Sequence, residues 1–496
     1  MNRIDNDLRS IQEARILVEN AREAQKLLAA YSQEKLDRIV ACMAEEIARH
    51  ARELAVFAQE ETGFGNWHDK FIKNLFASEF LYQKIRDMKV VGIISEDKEN
   101  RTMDIGVPVG VIAALIPSTN PAATTIYKTL IAIKSGNAIV FSPHPKARKT
   151  IEKVLDILMR TAEECGLPSG AIAYLRTVTV SGTAELISHK DTALILLTGV
   201  PKLVRLARRS GKPVICSGPG NGPAFIERTA DIKKAVRDII ASRTFDYGIV
   251  SASEQSIIAE ECIANEVRHE LRQNGAYFMS PQEAQQLSSS IFRSDGSLNP
   301  DFVGRSASEI ARNGGLCIPA DTKVIIAEQQ YASAANPYAR EKLCPVLAFY
   351  VEKDWRYACE KCIELLLNEG RGHTLVIHSN NEQVIREFAL KKPVSRLLVN
   401  TPSTLGGIGA TTNLFPALTL GCGAVGGGIT SDNVSPMNLI NIRKVGYGVR
   451  RIEEIAPDKL LQTSETGYDA LCFADQQTAD LPDLNGLLNK LLKQLT

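Results

Sequence analysis

Over the first sixty residues, apolar positions recur at intervals of three and four. Ile11, Ala14, Leu17, Val18 and Ala21 share one side of a helix, so the stretch 10–58 reads as amphipathic packing helices. From about residue 107 the pattern changes to short apolar runs alternating with helical stretches: 109–116, 121–135, 138–141 and 146–165, then runs at 171–175 and 194–197. The helix within 146–165 sets Ile151, Val154, Leu155 and Leu158 on one face and stops at Gly166, with Pro168 beyond. Strand–helix–strand alternation predicts a parallel sheet covered by helices, with ligands at the carboxyl ends of its strands.

A second α/β section is expected from near 236 to about 430, with apolar runs at 324–327, 346–350, 374–378 and 396–399. Two such units leave a cleft between them, where enzymes commonly place their chemistry. No internal repeat is visible. The end of the chain differs from both units. Residues 463–480 are mostly polar and read as a linker, with Leu471, Cys472 and Phe473 as a weak apolar spot. Leu481, Leu484, Leu487, Leu488, Leu491, Leu492 and Leu495 then form a leucine stripe on a short helix. That helix either docks on its own domain or binds a partner. The linker that isolates it favours the partner-binding reading.

Composition narrows the class. The chain has 496 residues, 44% hydrophobic and 23% charged, which fits a globular protein of two or three folding units. With 58 Lys+Arg against 57 Asp+Glu the net charge is +1, which argues against a nucleic-acid-binding surface covering the protein. Ten cysteines scattered through a long chain fit reduced thiols in a cytosolic compartment better than a secreted disulfide framework. The first thirty residues lack a signal-peptide apolar core, and no run reaches the roughly 18 apolar residues of a membrane span. A soluble cytoplasmic protein is expected.

Two formal motifs carry little. Gly421, Gly423 and Gly426 match G-x-G-x-x-G, but Gly427 and Gly428 follow where a helix should open, so the segment is expected to be a loop. Cys359 and Cys362 have CxxC spacing within the helical stretch 355–367 and lack a second pair, so no metal role is assigned. More informative are loops at strand ends. Pro117-Ser118-Thr119-Asn120-Pro121 ends a strand and opens a helix, leaving the Asn120 amide able to donate into the cleft. Thr198 and Gly199 end another strand before a helix, a geometry that suits a phosphate-bearing cofactor. Ser217 to Asn221 form a tight turn.

The order of these segments carries a further signal. VPVGVIAALIPSTNP (107–121), FDYGIVSASEQ (245–255), EKLCP (341–345), GRGHT (370–374), NTPST (400–404), LGCG (420–423) and SDNV (431–434) together resemble the CoA-acylating branch of the aldehyde dehydrogenase superfamily. The resemblance runs from roughly residue 10 to 455. It implies an α/β fold with a Rossmann-type cofactor domain, an α/β catalytic domain and a small oligomerisation extension. The implied boundaries are N-terminal helices and nicotinamide-cofactor domain over 1–238, catalytic domain over 239–430, return segment and oligomerisation strand over 431–462, linker over 463–480 and tail helix over 481–496.

In that family a cysteine thiolate attacks the aldehyde, an asparagine amide and a backbone N–H hold the oxyanion, hydride passes to a nicotinamide, and coenzyme A takes the acyl group. Carried over by motif, Asn120 is the oxyanion donor and His373 lies at the cleft without an assigned step. Ser142, Pro143, Thr198, Gly199, Ser217, Gly218 and Glu341 are the implied cofactor-binding residues, Glu341 at the nicotinamide ribose. Ser142, Pro143 and His144 offer neither a clear acid for a ribose nor an arginine for a 2′-phosphate, so NAD is favoured while NADP stays open. Hydrolytic members carry a water-activating glutamate at the turn where this chain has Ser217. Its absence favours transfer to a thiol such as CoA.

The nucleophile position departs from the pattern. The family's cysteine falls on Ser251, and Tyr247 stands where asparagine is usual. A thiol with pKa of about 8.5 supplies thiolate near neutrality, whereas a serine hydroxyl needs an adjacent base, and none is evident in the sequence. The chain is therefore expected to be inactive or severely impaired in acyl transfer while still binding cofactor. Either a Cys→Ser substitution made to trap complexes or a natural change leaving a binding protein accounts for Ser251. Cys216 neighbours the residue expected to face the cleft and should point away along a strand, which argues against it as a substitute. The remaining implied partners are a short aliphatic aldehyde such as acetaldehyde or propionaldehyde and further copies of the chain. A homodimer or homotetramer is expected, formed through strands within 95–107 and 440–452. The segment 481–496 resembles the encapsulation peptides of acylating dehydrogenases in bacterial microcompartments, which implies a shell-protein partner. The rival reading is a catalytically dead NAD- or CoA-binding protein of a microcompartment.

Overall fold

The stretch 10–58 folds into helices Asn6–Leu28, Gln33–Arg49 and Ala51–Thr62. Asp5 and Ser32 cap the first two by accepting backbone N–H groups of the opening turn, and Ala14, Val18 and Ala21 are buried as the spacing predicts. The computed structural model describes residues 5–451 except 200 and 295, together with Glu454. The expected linker over 463–480 and leucine-striped segment over 481–496 lie outside the described residues.

In chain order the described strands are β1 (Gly92–Asp97), β2 (Thr102–Pro108), β3 (Val111–Leu115), β4 (Ala138–Ser142), β5 (Ile172–Tyr174), β6 (Thr192–Thr198), β7 (Val214–Ser217), β8 (Gly222–Ile226), β9 (Glu254–Glu260), β10 (Ala276–Phe278), β11 (Val324–Glu328), β12 (Val346–Glu352), β13 (Gly372–His378), β14 (Val394–Val399) and β15 (Ile440–Gly446). One parallel sheet has the order β5-β4-β3-β6-β7 and another the order β10-β11-β12-β9-β8-β13-β14. In β3 every residue from Val111 to Leu115 is buried, as expected of a parallel strand covered on both faces. The helix Arg148–Glu164 buries Ile151, Val154, Leu155 and Leu158 and gives way to Gly166 in the left-handed region, φ 91°.

The second sheet starts earlier than the apolar runs suggest. β8 joins it between β9 and β13, although Gly222 and Pro223 at its start hide it from a search for continuous apolar residues. The glycine-rich segment near 421 also differs from the expected loop. Gly423–Gly426 makes a single helical turn, which Gly427 stops at φ 82°. No strand leads into it, since Leu420 makes only an isolated bridge with Asn433.

β1, β2 and β15 form a third, three-stranded sheet that overlaps the two segments expected to mediate oligomerisation. The described residues divide into a large unit, within 1–96 and 103–444, and a small one, 97–102 with those from 445 onward. In the described part of the small unit, the Tyr447 N–H donates to the Arg101 carbonyl at 3.2 Å, with the Arg101 guanidinium over the Tyr447 ring. Among the described residues no helix is long and apolar enough to cross a membrane.

Candidate active site

In the five-stranded sheet, β3 has β4 on one side and β6 on the other, so the chain reverses its direction of winding between β3 and β6. A crevice opens at the carboxyl ends of strands at such a point. A cleft of about 200 Å³ lies there, lined on this side by Pro117 to Asn120 after β3 and by Thr198 and Gly199 at the end of β6. Gly199 takes φ 88° and packs against Pro117, where a Cβ would lie 3.1 Å from the proline Cβ. A left-handed residue without a side chain thus leads toward the helix Pro201–Arg209 and keeps its approach open to a ligand phosphate.

The seven-stranded sheet meets this cleft with its amino ends, contrary to the carboxyl-end expectation. Ser251 precedes β9, Glu341 and Leu343 precede β12, and His373 is the second residue of β13. The reason is the short crossover Ser217 to Asn221, which links the carboxyl end of β7 directly to the amino end of β8. At Gly220 an added Cβ would lie 1.6 Å from the Ser251 carbonyl oxygen, so only glycine allows the crossover to touch the loop carrying Ser251. The Gly220 N–H donates to Glu341 Oε1 at 2.7 Å.

Of the residues singled out in the sequence, Asn120, Ser251, Thr198, Gly199, Ser217, Gly218 and Glu341 all line the one cleft. Ser142 and Pro143 do not line it. Ser142 is buried with its hydroxyl on Thr183 at 2.9 Å, and the neighbouring His144 faces the cleft instead. Burial, then Lys146, lowers the His144 pKa. Burial and the Glu369 carboxylate raise Glu341 to about 8, so its carboxyl is largely protonated at neutral pH. Cys216 is buried in β7 and is not among the residues lining the cleft.

His373 sits fully buried behind Ser251, with Nε2 3.2 Å from the Ser251 Oγ and Nδ1 3.0 Å from the Thr374 hydroxyl. The sequence showed no base beside position 251; the fold supplies this imidazole. Arg396 fixes it by donating to the His373 carbonyl at 3.1 Å and to the Thr374 hydroxyl at 3.3 Å. Burial, reinforced by the Arg396 charge, lowers His373 to about 3, so the ring is neutral and a weak proton acceptor.

A second group was not visible in the sequence. Lys73, from the helix Trp67–Leu75, donates to Asn120 Oδ1 and to Asp246 Oδ2. Lys70, one turn earlier, donates to the same Asp246 oxygen at 3.0 Å and to the Thr119 carbonyl at 3.2 Å. Asp246 is fully buried in a left-handed conformation, φ 47°, followed by Tyr247 at φ 52°. Two consecutive non-glycine residues in this region cost about 1–3 kcal/mol each and persist where surrounding bonds hold them. Here the Asp246 N–H donates to Asp69 Oδ2 at 2.7 Å, and Asp246 Oδ1 accepts the Asn66 N–H at 2.8 Å.

Residues 8–284 match the model of the aldehyde dehydrogenase family. A bifunctional aldehyde-alcohol dehydrogenase of Escherichia coli K12 is 39% identical over 91% of this chain and 51% of its own length. The chain spans about half the length of the first curated relatives it matches. Among solved structures, a probable aldehyde dehydrogenase from Listeria monocytogenes EGD-e is 55% identical, covers 91% of this chain and 100% of its own, and superposes with a TM-score of 0.90. An acetylating aldehyde dehydrogenase from Geobacillus thermoglucosidasius is 48% identical over 90% of this chain and 99% of its own, TM-score 0.88. More distant structures include a propionaldehyde dehydrogenase of a Clostridium phytofermentans fucose-utilisation microcompartment, 28% identical over 87% and 96% of the two chains, TM-score 0.78. A Rhodopseudomonas palustris propionaldehyde dehydrogenase with bound CoA and an acylated cysteine is 26% identical over 88% and 97%, TM-score 0.79. With both parallel sheets, the shared cleft and these matches in place, the chain belongs to the aldehyde dehydrogenase family.

Proposed function

We propose that the chain is the scaffold of a CoA-acylating aldehyde dehydrogenase, converting a short-chain aldehyde, CoA and NAD to acyl-CoA and NADH, with position 251 as the nucleophile site. The observation that carries this is the cleft wall itself. Glu341 is the one carboxylate among the described residues lining it, and Ser217 stands where a water-activating base is needed for hydrolysis. An acyl group held at 251 therefore persists until a thiol removes it.

The residues fit a nicotinamide dinucleotide. The left-handed Gly199 ahead of a helix suits its phosphates, and the Glu341 carboxyl can accept ribose hydroxyls. When bound, that cofactor accepts the aldehyde hydride. The Asn120 amide donates to the oxygen of the aldehyde as it gains charge. NAD rather than NADP is the preferred form, since no arginine is among the described residues lining the cleft.

As it stands, Ser251 is a poor nucleophile. His373 lies within hydrogen-bonding reach, but an imidazole titrating at about 3 does not withdraw a proton from an aliphatic hydroxyl effectively. An oxyester would also be a weaker acyl donor to CoA than a thioester. The test is Ser251→Cys assayed for CoA-dependent NADH formation with acetaldehyde and propionaldehyde. No gain over the parent chain sinks position 251 as the nucleophile site. Persistent inactivity with intact NAD and CoA binding supports the second reading, a cofactor-binding protein without catalysis, which the weak base beside Ser251 favours.

Homo-oligomerisation through the strands at 95–107 and 440–452 belongs to the same reading. So does packaging of this cytoplasmic protein in a microcompartment through 481–496, for which the Clostridium phytofermentans relative offers a parallel. Deleting 463–496 should leave NAD affinity unchanged and abolish co-purification with shell proteins. Packaging by the truncated chain ends that idea.

A further inference from the structure

The helix Trp67–Leu75 is built the wrong way round for a packing element. It buries Lys70, Lys73 and Asn74, three positions on one face, and leaves Ile72 51% exposed. Burying two ammonium groups is costly unless they are paired, and a rule broken at this expense marks a functional constraint. The helix runs directly into a five-residue π-helical segment, Phe76–Phe80, a distortion that is frequent at functional sites.

What this face touches is the end of the 117–121 loop. An ammonium group can only donate, so the Asn120 atom facing Lys73 is the carbonyl oxygen, and the amide orientation follows from the lysine. Among the described residues nothing accepts from the Asn120 Nδ2, and Asn120 caps the helix Pro121–Lys134 without a side-chain capping bond. Asp246 holds Lys73 in place, and Lys70 supplies that carboxylate with a second cation.

We propose that Lys73 is the positioning residue of the oxyanion site. It grips the Asn120 carboxamide by its oxygen, so that the Nδ2 hydrogens are presented to the aldehyde oxygen at position 251. This rests on the reading of the cleft as an acylating aldehyde dehydrogenase site. The charge arrangement makes the role testable. Removing Lys73 leaves Asp246 still paired with Lys70, so the fold should survive.

Two measurements decide it. In the Ser251→Cys chain, Lys73→Met and Asn120→Ala should each lower kcat by about 10²–10³-fold, the loss typical of an oxyanion donor, with the aldehyde KM and NAD affinity nearly unchanged. The double variant should be no more than about threefold worse than Asn120→Ala alone, because a residue acting through Asn120 has nothing to position once the amide is gone. Multiplying effects, or a Lys73→Met rate within about threefold of the parent, overturn the proposal. The second measurement is a crystal structure of Lys73→Met in the unaltered Ser251 chain, where the Asn120 amide should rotate away from the cleft. An unmoved amide overturns the role of Lys73 whether or not Ser251→Cys is active. An inactive Ser251→Cys chain overturns only the acylating reading.

Discussion

The His373 imidazole and the Ser251 hydroxyl, 122 positions apart in the chain, meet at 3.2 Å because β13 and β9 flank β8 in one sheet. With His373 lowered to about 3 by burial and Arg396, the ring carries no charge anywhere in the working pH range. The pH profile of acylation by Ser251→Cys at saturating NAD should therefore show no inflection from His373 between pH 5 and about 7. A second limb near the ordinary histidine value of about 6.5 contradicts this.

Glu341, raised to about 8, should lose its proton when it accepts ribose hydroxyls, because a carboxylate is the better acceptor. NAD binding at pH 7 should then release up to about one proton, and affinity should rise with pH until about 8. Calorimetry in two buffers of different ionisation enthalpy measures the release. Glu341→Gln should abolish it and weaken NAD binding roughly tenfold or more, the value of a hydrogen bond to a charged group.

Stability against pH isolates Glu254, which burial raises to about 7 and whose Oε2 is buried without a hydrogen-bond partner among the described residues. The folded state keeps this proton between its ordinary value of 4.5 and about 7, where the unfolded chain has lost it, so its contribution grows as pH falls through that window. His373 and His378, both lowered to about 3, act in the opposite direction below 6.5. Glu254→Gln should remove one offsetting contribution. Relative to the parent, its unfolding free energy should drop by about 1.4 kcal/mol per unit of acidification between pH 6.5 and 4.5, read from urea midpoints. Parallel profiles refute the assignment.

Asp246→Asn strips the shared counter-charge from Lys70 and Lys73, each less than 5% exposed. Leaving buried cations unpaired costs on the order of 3–5 kcal/mol. A marked fall in Tm is expected, much larger than for Lys73→Met, which keeps one ion pair intact. Equal losses would show that the pair contributes no balance of charge.

Gly220→Ala places a Cβ 1.6 Å from the Ser251 carbonyl, whereas at Gly218 it would meet only the Cys422 Sγ at 3.8 Å. The first substitution should cost about 2–4 kcal/mol and abolish turnover in Ser251→Cys; the second should change stability by less than about 1 kcal/mol. Comparable behaviour of the two variants dismisses the close approach as a constraint.

The sheets were legible where sequence and structure share a local cause. Val111–Leu115 and Ala138–Ser142 are wholly buried strands and read as apolar runs, and Gly166 stops its helix by the conformation that only glycine adopts freely. β8 was missed because Gly222 and Pro223 interrupt its apolar pattern. Asn120, Ser251 and Glu341, singled out by motif, line one cleft because the loops that carry them end at the same place in the fold. Lys73 could not, since its partner Asp246 lies 173 residues away and its own helix looks like one more amphipathic element. A lysine at three-residue spacing is read as a solvated face by default. The single sequence-level sign was that following the lysine face as exposed would have required Ile72 to be buried.

The crossover Ser217 to Asn221 does more than connect two sheets. Ser217 and Gly218 line the cleft, the Gly220 N–H is tied to Glu341, and the Gly220 backbone rests on the Ser251 carbonyl. These five residues leave no space for a side chain where they meet residue 251. Because no side chain fits between the Gly220 backbone and the Ser251 carbonyl, the turn that joins the two sheets also sets how closely residue 251 and Glu341 can stand.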